Sequence, residues 1–430
     1  MESLSRGWRW LIAVFGLVLL QGCTVNPVTG ERQLSLIPES QTREMGVQQY
    51  EPTIQMQGGQ YYTDPELTVY VNNIGQKLAA VSDRPDLPYE FVVLNSGVPN
   101  AWALPGGKIA INRGLLTEME NEAQLAAVLA HEIVHAAARH SAQRMQQGMI
   151  INAGMAGLGM ALSDNDYAGL IMGGAALGSQ LTMAQYSQDH ELESDRHGIR
   201  YMAKAGYDPR AAVELQKIFL RLSENRESSW INGLFASHPP SQARVDANRE
   251  TVQSMTDLPD FRGTERFNKR LAYLRDRKPA YRKAKQAREK AEDGHLDQAM
   301  TLVNEAIAIE SEEAAFHALK GQILSNQKQP EAALSAFDRA VNLYPQMFSY
   351  RLERGLLHLE QDHLELARED LATANETVPT SIATLRLGDI ARQQGDTKQA
   401  IAYYQRAAEA GGEVGQEALR KLQNLTKAGS

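Results

Sequence analysis

The feature that most constrains the fold of this chain is a repeat of 33 or 34 residues in its C-terminal part. Alanines recur at intervals of 34, 34 and 33 residues, at Ala299, Ala333, Ala367 and Ala400. Glycines keep the same period at Gly321, Gly355 and Gly388, and prolines at Pro345 and Pro379. Three residue classes that share one period predict a stack of helix pairs, with small residues where the helices approach closely.

This period is that of the tetratricopeptide repeat, which has two antiparallel helices per unit. We expect roughly four units between Tyr281 and Gly412, followed by a terminal helix. The predicted repeat domain covers residues 285–430. An α-solenoid of this kind presents a concave surface that suits peptides or partner helices.

A second constraint is the pentapeptide His131-Glu132-Ile133-Val134-His135, within an Ala/Leu-rich run that is predicted to be helical. Two histidines at i and i+4 project from one helical face and can hold one metal ion together. Glu132 can reach a metal-bound water, whose pKa a zinc ion lowers towards neutrality. The alternative is a pair of polar residues on a solvated turn of helix.

Catalytic zinc usually takes a third protein ligand, and two downstream segments offer candidates. Glu191 and Asp195 lie one helical turn apart, so a ligand and a carboxylate that orients another ligand could act together. His238, in Ser237-His238-Pro239-Pro240, comes six residues before Arg244. Glu193 and His140 lie close to these motifs in the sequence and are expected to be solvated.

With Asn100-Ala101-Trp102-Ala103-Leu104-Pro105-Gly106-Gly107 upstream, these motifs come in the order of one known family. The chain resembles the zinc metallopeptidase family that includes the CAAX prenyl protease and the heat-shock membrane protease HtpX. The resemblance implies a zincin-like domain with one Zn²⁺ per chain, bound by His131, His135 and Glu191. It also implies Glu132 as general base and Asp195 as the group that orients a histidine ligand, or as proton donor. The alternative for Asp195 is a carboxylate on the helix surface.

The resemblance extends to substrate binding and to His238. In this family the segment that corresponds to Asn100–Asn112 presents an exposed strand edge to which an extended substrate adds. The predicted substrate-binding residues are Asn100, Ala101, Trp102 and Ala103. Three roles stay open for His238: a donor that stabilises the oxyanion with support from Arg244, a plug on the open zinc position, or a structural loop histidine.

Periodicity predicts the elements around the motif. An apolar stripe at Leu67, Tyr70, Val71, Ile74 and Leu78 predicts helix within Glu39–Ala80. Tyr89–Leu94 and Lys108–Asn112 are predicted strands, the second preceded by a turn at Pro105–Gly107. Thr117 and Glu120 are predicted to cap the motif helix. Residues 148–180, rich in Gly and Ala, predict either a packed helical hairpin or a mobile lid over the cleft.

The N-terminal residues resemble an export signal. Arg6 and Arg9 accompany an apolar stretch, Trp10–Leu20, that is short for a bilayer span. Leu20-Gln21-Gly22-Cys23 resembles the lipobox of bacterial lipoproteins, in which the cysteine is acylated. This implies a signal peptide at 1–22, a tether at 23–38 and attachment through Cys23 to the periplasmic face of the outer membrane. The alternative is a plain signal peptide or a short anchor with an incidental cysteine.

Charge is unevenly distributed along the chain. Residues 261–290 contain twelve Lys/Arg and three Asp/Glu, although the net charge of the whole chain is −8. Pro279 is expected to interrupt any helix there, so we predict a solvated basic linker at 261–284. The alternative is contact with an anionic lipid or partner. The negative net charge gives no support to nucleic-acid binding.

The sequence as a whole predicts a mainly α fold with a small β-sheet: a zincin-like metallopeptidase domain at 39–260, then a tetratricopeptide α-solenoid. The predicted function is a membrane-anchored zinc endopeptidase that cleaves unfolded or misassembled envelope proteins. By resemblance, the repeats would bring it to clients or to the outer-membrane protein assembly machinery. The alternative is a chaperone or assembly factor with a largely closed peptidase site.

Overall fold

The computed structural model describes residues 23–35, 37–146, 185–224 and 233–428. The predicted signal peptide at 1–22 and the whole of the predicted hairpin or lid at 148–180 lie outside the described residues. The described chain is mainly helical with two small sheets, which confirms the predicted fold class. Among its helices, none has the length and apolar character needed to cross a bilayer.

The chain divides into two compact units. The first contains Met1–Thr53 and Gln60–Ala272, and the second contains Ile54–Gly59 and Tyr273–Ser430. The first unit carries the metal-binding motif, and the second carries the repeats. Each unit is described separately below.

The first unit begins with a β-hairpin where a tether was predicted. Strand β1 (Cys23–Val25) pairs antiparallel with β2 (Arg32–Leu34). The loop between them closes through hydrogen bonds from Asn26 N to Glu31 O and from Gly30 N to Asn26 O. Gly30 has a φ of +75°, which favours glycine. The prediction of a loose tether is therefore wrong, because the Pro/Gly-rich residues serve as turn residues instead.

Two helices and a three-stranded sheet follow the hairpin. Helix α1 spans Glu39–Met56, and α2 spans Pro65–Ala79 and buries the predicted stripe positions Leu67, Val71, Ile74 and Leu78. Strands β3 (Glu90–Leu94), β4 (Ala101–Leu104) and β5 (Lys108–Asn112) are arranged in the order β3-β5-β4. β5 pairs parallel with β3 and antiparallel with β4. β4 is therefore an edge strand, and the Pro105–Gly107 turn joins it to β5 as predicted.

The motif helix starts later than the sequence predicted. After the short helix α3 (Arg113–Leu116), α4 spans Glu122–Ala137, with Asn121 as its N-cap. The Asn121 side chain accepts a hydrogen bond from Gln124 N. The Thr117 hydroxyl instead donates to Gly114 O at the end of α3. The predicted capping box of Thr117 and Glu120 is wrong, because the asparagine Asn121 caps the helix instead, four residues after Thr117.

Helix α5 (Gln188–Lys204) packs on α4 and brings the downstream motif to the histidines. The close approach requires Gly198, because a Cβ at that position would lie 3.2 Å from His131 N. Three further helices complete the packing: α6 (Arg210–Glu224), α7 (Leu234–Ser237) and α8 (Gln242–Gln253). α7 leads into His238, and α8 carries Arg244.

The predicted basic linker is part of one helix. α9 spans Thr264–Glu292 and includes Pro279. Some of its basic side chains form ion pairs: in the first unit Arg266, which stays largely exposed, pairs with Glu122, and in the second unit Arg277 lies 3.1 Å from Glu310. The expected break at Pro279 is wrong. One lost backbone hydrogen bond is offset by apolar residues of α9 that are buried, among them Phe267 and Ala287.

The second unit confirms the repeats. Its helices after α9 are α10 (Leu296–Ile309), α11 (Ala314–Asn326), α12 (Pro330–Leu343), α13 (Phe348–Glu360), α14 (Leu364–Thr377), α15 (Ser381–Gln393), α16 (Thr397–Ala408) and α17 (Gly412–Ala428). The four periodic alanines are fully buried. A Cβ on Gly321 would lie 2.9 Å from the Phe337 ring, so these positions keep small residues because the paired helices touch there.

Candidate metal centre

Four side chains from three separate segments of the first unit converge on one point. His131 and His135 come from α4, Glu191 from α5, and His238 from the residue after α7. All four are buried, and each offers a ligand atom within 4.8 Å of the others. The distance from His135 Nε2 to His131 Nε2 is 3.0 Å. Glu191 Oε2 lies 3.5 Å from His131 Nε2, and Glu191 Oε1 lies 3.4 Å from His135 Nε2.

The spacing of these atoms fits a small metal ion. Bonds of about 2.0–2.1 Å in a tetrahedral site place neighbouring ligand atoms roughly 3.3 Å apart. His238 Nδ1 lies 3.3 Å from His131 Nε2 and 2.9 Å from Glu191 Oε1, so it stands at the fourth corner. Imidazole nitrogens and a carboxylate are ligands that zinc takes in proteins. The described donor set therefore fits one zinc ion.

Asp195 and Arg244 support the inner residues. Asp195 Oδ1 lies 2.9 Å from His131 Nδ1, on the opposite side of the ring from the cluster. Arg244 donates to both Asp195 oxygens, at 2.7 and 2.8 Å, and its Nη1 lies 2.7 Å from Glu191 Oε2. A carboxylate behind a histidine ligand fixes the tautomer and the orientation of the ring. Asp195 is thus positioned to orient His131. Because Asp195 is buried, the alternative of a carboxylate on the helix surface is wrong.

The electrostatics of the cluster favour a cation. Burial opposes a charge on His131, but Glu191 and Asp195 outweigh it and raise the pKa of His131 to about 10. Burial alone would raise the pKa of Glu191, yet His238 and Arg244 hold it well below its usual value. Burial lowers the pKa of His135. The Glu191 carboxylate thus stays ionised and His135 stays neutral, as metal binding requires. The raised pKa of His131 means that its ring carries a proton without metal, and that proton must leave when a metal ion binds.

Glu132 lies beside the cluster without belonging to it. Its Oε1 is 3.5 Å from His238 Nε2, and its buried Oε2 has no hydrogen-bond partner among the described residues. Burial raises the pKa of the Glu132 carboxyl, with His238 and His131 acting in the opposite direction. The group is therefore buried, close to the metal position and available to a small polar molecule.

The predicted support of His238 by Arg244 is not seen in this arrangement. The Arg244 guanidinium is directed to Asp195, Glu191 and the Pro239 carbonyl oxygen. The 2.9 Å contact of His238 with Glu191 instead places its ring among the candidate ligands. A pocket lined by Leu215, Phe219 and Leu234, among others, opens next to it and borders His131, Glu132 and His238.

The predicted substrate strand has the expected topology but is covered. β4 holds Ala101, Trp102 and Ala103 at the edge of the sheet, and Asn100 precedes it. All four residues of β4 are buried. The Ser141 hydroxyl donates to Ala103 O at 3.4 Å, and Leu234 N donates to Pro99 O just ahead of the strand. The expectation of an exposed edge is wrong for this arrangement, because neighbouring segments already contact it.

Three residues of the site were missed or misplaced by the sequence. Tyr186 stacks on the His135 ring with centroids 3.9 Å apart, and nothing in the sequence marked it. His140 was expected to be solvated but is fully buried, with its Nδ1 2.9 Å from His135 Nδ1. Glu193, also expected in solvent, lies 3.3 Å from His140. α4 ends at Ala137 and Arg139 has a φ of 62°, so the chain turns His140 back towards the cluster.

Comparison with known proteins agrees with this geometry. Residues 65–252 match the model of Peptidase family M48, whose members are zinc-dependent. Residues 284–348 and 352–413 match a tetratricopeptide repeat model. Solved structures similar to the chain include MamA (18% identity, TM-score 0.30, 34% of this chain and 86% of that chain). Another is YrrB, a TPR protein (14% identity, TM-score 0.30, 49% and 91%).

Curated relatives match through less than their full length. The β-barrel assembly-enhancing protease of Escherichia coli (strain K12) is 31% identical over 221 residues, which are 47% of this chain and 45% of that protein. The mitochondrial metalloendopeptidase OMA1 of Schizosaccharomyces pombe is 34% identical over 181 residues, 41% of this chain and 51% of that protein. The chain spans about half the length of the relatives it matches. Residues 65–252 are thus similar to Peptidase family M48, and the residues that follow them match tetratricopeptide repeats.

Proposed function

We propose that this chain is a zinc-dependent endopeptidase of the bacterial cell envelope that cleaves unfolded or misassembled proteins. The observation that carries the proposal is the convergence of His131, His135 and Glu191 on one buried point, with Glu132 next to it. Neither a structural zinc site nor a binding module needs a buried carboxylate with one unpartnered oxygen at that place.

The reaction assigned to these residues is hydrolysis of a peptide bond. A zinc ion held by His131, His135 and Glu191 would supply a bound water of lowered pKa. Glu132 Oε2 takes the proton of the attacking water and passes it to the leaving amine. Asp195 holds His131 through Nδ1 and so keeps Nε2 directed at the metal position.

The decisive experiment replaces Glu132 with Gln in the full chain. We expect casein cleavage to fall by a factor of at least about 100, because general acid–base catalysis contributes on the order of 10²–10⁴. Zinc content, measured by mass spectrometry of the metal, should stay at one per chain. Glu250→Gln, an exposed carboxylate on α8, is the matched control. Cleavage that persists in Glu132→Gln, or a wild-type protein without stoichiometric zinc, contradicts the proposal.

We assign His238 the role of a plug that closes the resting site. The support is its place at the fourth corner of the ligand cluster, 2.9 Å from Glu191. Under this role His238→Ala opens a position for water and raises casein cleavage. An oxyanion donor predicts the opposite, a collapse of cleavage. An unchanged rate would exclude both roles.

Membrane attachment through an acylated Cys23 is part of the proposal. Its support is the lipobox-like Leu20-Gln21-Gly22-Cys23 after an apolar stretch. Expression in a Gram-negative host with labelled palmitate should give a labelled protein in the outer-membrane fraction. Cys23→Ser should lose the label and leave that fraction. A soluble, unlabelled wild-type protein would rule out the anchor.

The clients and partners are proposed by analogy. A relative is named for enhancing β-barrel assembly, so we propose misassembled outer-membrane proteins as clients and their assembly machinery as a partner of the repeats. An extended client would add to β4 once the segments that cover its edge move away. Crosslinking of the Glu132→Gln chain in envelope extracts, followed by identification of the captured proteins, tests both. Capture of envelope β-barrels by the Glu132→Gln chain but not by the same chain without the repeats supports docking, and equal capture by both contradicts it.

A chaperone or assembly factor with a closed site is the second candidate, favoured by the position of His238 among the ligands. A deletion strain separates the two functions. If Glu132→Gln restores its envelope as fully as the wild type does, binding rather than proteolysis is the function.

A further inference from the structure

His135 has a second contact on the side of its ring that faces away from the metal position. Its Nε2 faces His131 and Glu191, while its Nδ1 lies 2.9 Å from His140 Nδ1. Two imidazole nitrogens at this distance share one proton, because a hydrogen bond needs one donor and one acceptor. The tautomers of His135 and His140 are therefore coupled.

Metal binding fixes the direction of this hydrogen bond. A histidine that binds a metal through Nε2 is neutral and keeps its proton on Nδ1. His135 then donates to His140 Nδ1, and the proton of His140 lies on Nε2. That Nε2 is 3.3 Å from Glu193 Oε1, which is within ion-pair distance although Nε2 makes no hydrogen bond among the described residues. The Ser194 hydroxyl, at 3.5 Å from His140 Nδ1, is a longer contact than His135.

Glu193 is in turn held by the N-terminal hairpin. Asn26 Nδ2 donates to Glu193 Oε1 at 3.2 Å. The opposite end of the Asn26 amide, Oδ1, accepts hydrogen bonds from Val28 N at 2.9 Å and Thr29 N at 3.4 Å. These two donors fix which end of the amide faces Glu193. Asn26 is buried, so this contact does not compete freely with water.

We propose that Asn26, Glu193 and His140 form a positioning relay that orients His135, and that the hairpin after Cys23 is thereby part of the metal centre. The relay is the counterpart for His135 of the Asp195–Arg244 pair behind His131. It rests on the metal centre of the proposed function, and it adds an influence of the N-terminal segment on metal retention. None of the three residues contacts a substrate in this role, so they are positioning residues.

The test measures release of zinc rather than activity. Full-length protein with one equivalent of zinc is mixed with an excess of a chromogenic chelator, and the rate of metal transfer is followed. Loss of an outer partner of a metal ligand costs roughly 10–100-fold in affinity. We expect His140→Gln to release zinc at least about tenfold faster, and Asn26→Ala and Glu193→Gln to release it several-fold faster.

Two variants separate positioning from a general loss of packing. In His140→Asn the amide lies near the place of Nδ1 and can still accept from His135, so its release rate should fall between wild type and His140→Gln. Tyr201→Phe removes a hydroxyl from a buried residue on the same helix, α5, that donates to Asp83 outside the relay, and it should release zinc at the wild-type rate. Nitrogen-15 NMR of the zinc-loaded protein should show the His135 proton on Nδ1.

The outcomes distinguish this inference from the proposed function. Wild-type protein that binds no zinc overturns both. Wild-type protein that binds zinc, with release unchanged in His140→Gln and Asn26→Ala, overturns the relay alone. Equal acceleration in Tyr201→Phe would also overturn it, because the effect would then be one of packing. If His140→Gln fails to fold, Asn26→Asp decides, since its carboxylate still accepts from Val28 N and Thr29 N but cannot donate to Glu193.

Discussion

The buried pair of Arg244 and Asp195 allows a quantitative prediction. Arg244 is 3% exposed, donates to both oxygens of Asp195 and also contacts Glu191. Arg244→Met keeps much of the side-chain volume and removes the charge. Two buried carboxylates then lose their common cation, and the histidines His131, His135 and His238 remain near them.

The expected cost follows from this isolation. Removal of one partner from a buried ion pair destabilises a protein by about 3–5 kcal/mol, because the remaining charge stays buried. Asp195→Asn in the same chain should lower the cost of Arg244→Met, since one of the carboxylates is then neutral. A double-mutant cycle should therefore give a coupling energy of at least about 1 kcal/mol between the two positions.

Tryptophan fluorescence during urea unfolding is the appropriate assay. Trp102 is the tryptophan within the described residues, and it is buried in β4, so its signal reports the first unit. Chelator-treated protein keeps zinc out of the comparison. A loss below about 1 kcal/mol in Arg244→Met, or strictly additive single variants, would refute the view that the pair is electrostatically isolated from water.

Two further predictions concern stability. Burial raises the pKa of Glu353 to about 7. The folded repeats therefore keep a proton that the unfolded chain releases near pH 4.5. Because the folded state binds more protons, its stability should fall as the pH rises from about 4.5 to beyond 7. The loss of folding free energy is at most about 3 kcal/mol, and Glu353→Gln should abolish it. Hydrogen exchange of residues 314–360, corrected for intrinsic exchange rates, measures it in both proteins. Equal pH dependence in the two proteins would contradict the prediction. A Cβ on Gly114 would lie 2.3 Å from Gly97 O, so Gly114→Ala should destabilise the first unit by about 1–3 kcal/mol in urea. Gly97→Ala, which meets only Arg113 at 3.6 Å or more, is its matched control, and equal effects of the two would count against the clash.

The parts of the site that follow from local periodicity were predictable. The i, i+4 spacing of His131 and His135 and the one-turn spacing of Glu191 and Asp195 depend only on helix geometry. The 34-residue period likewise specified where helices touch, as the buried Ala299 and Ala333 confirm. In these cases the sequence neighbours of a residue decide which face it occupies.

The parts that were missed depend on tertiary contacts. His140 was assigned to the surface because the motif helix was extended past Ala137, whereas the left-handed Arg139 redirects the chain. Pro279 was expected to end a helix, since the packing that holds α9 together is not visible in a local pattern. Hairpin residues such as Asn26 looked like a flexible segment because their partner, Glu193, is 167 positions away in the sequence.

The ordered hairpin limits how far a lipid-anchored peptidase could move. Only two residues separate Cys23 from Asn26, which is already packed in the first unit. An extended chain spans at most about 3.5 Å per residue, so acyl chains on Cys23 would hold the peptidase within roughly 10 Å of the lipid headgroups. With the proposed anchor, the peptidase would have no long flexible linker that lets it reach far into the periplasm. Its substrates would have to arrive at the bilayer surface, where proteins emerging into or failing to enter the membrane are found.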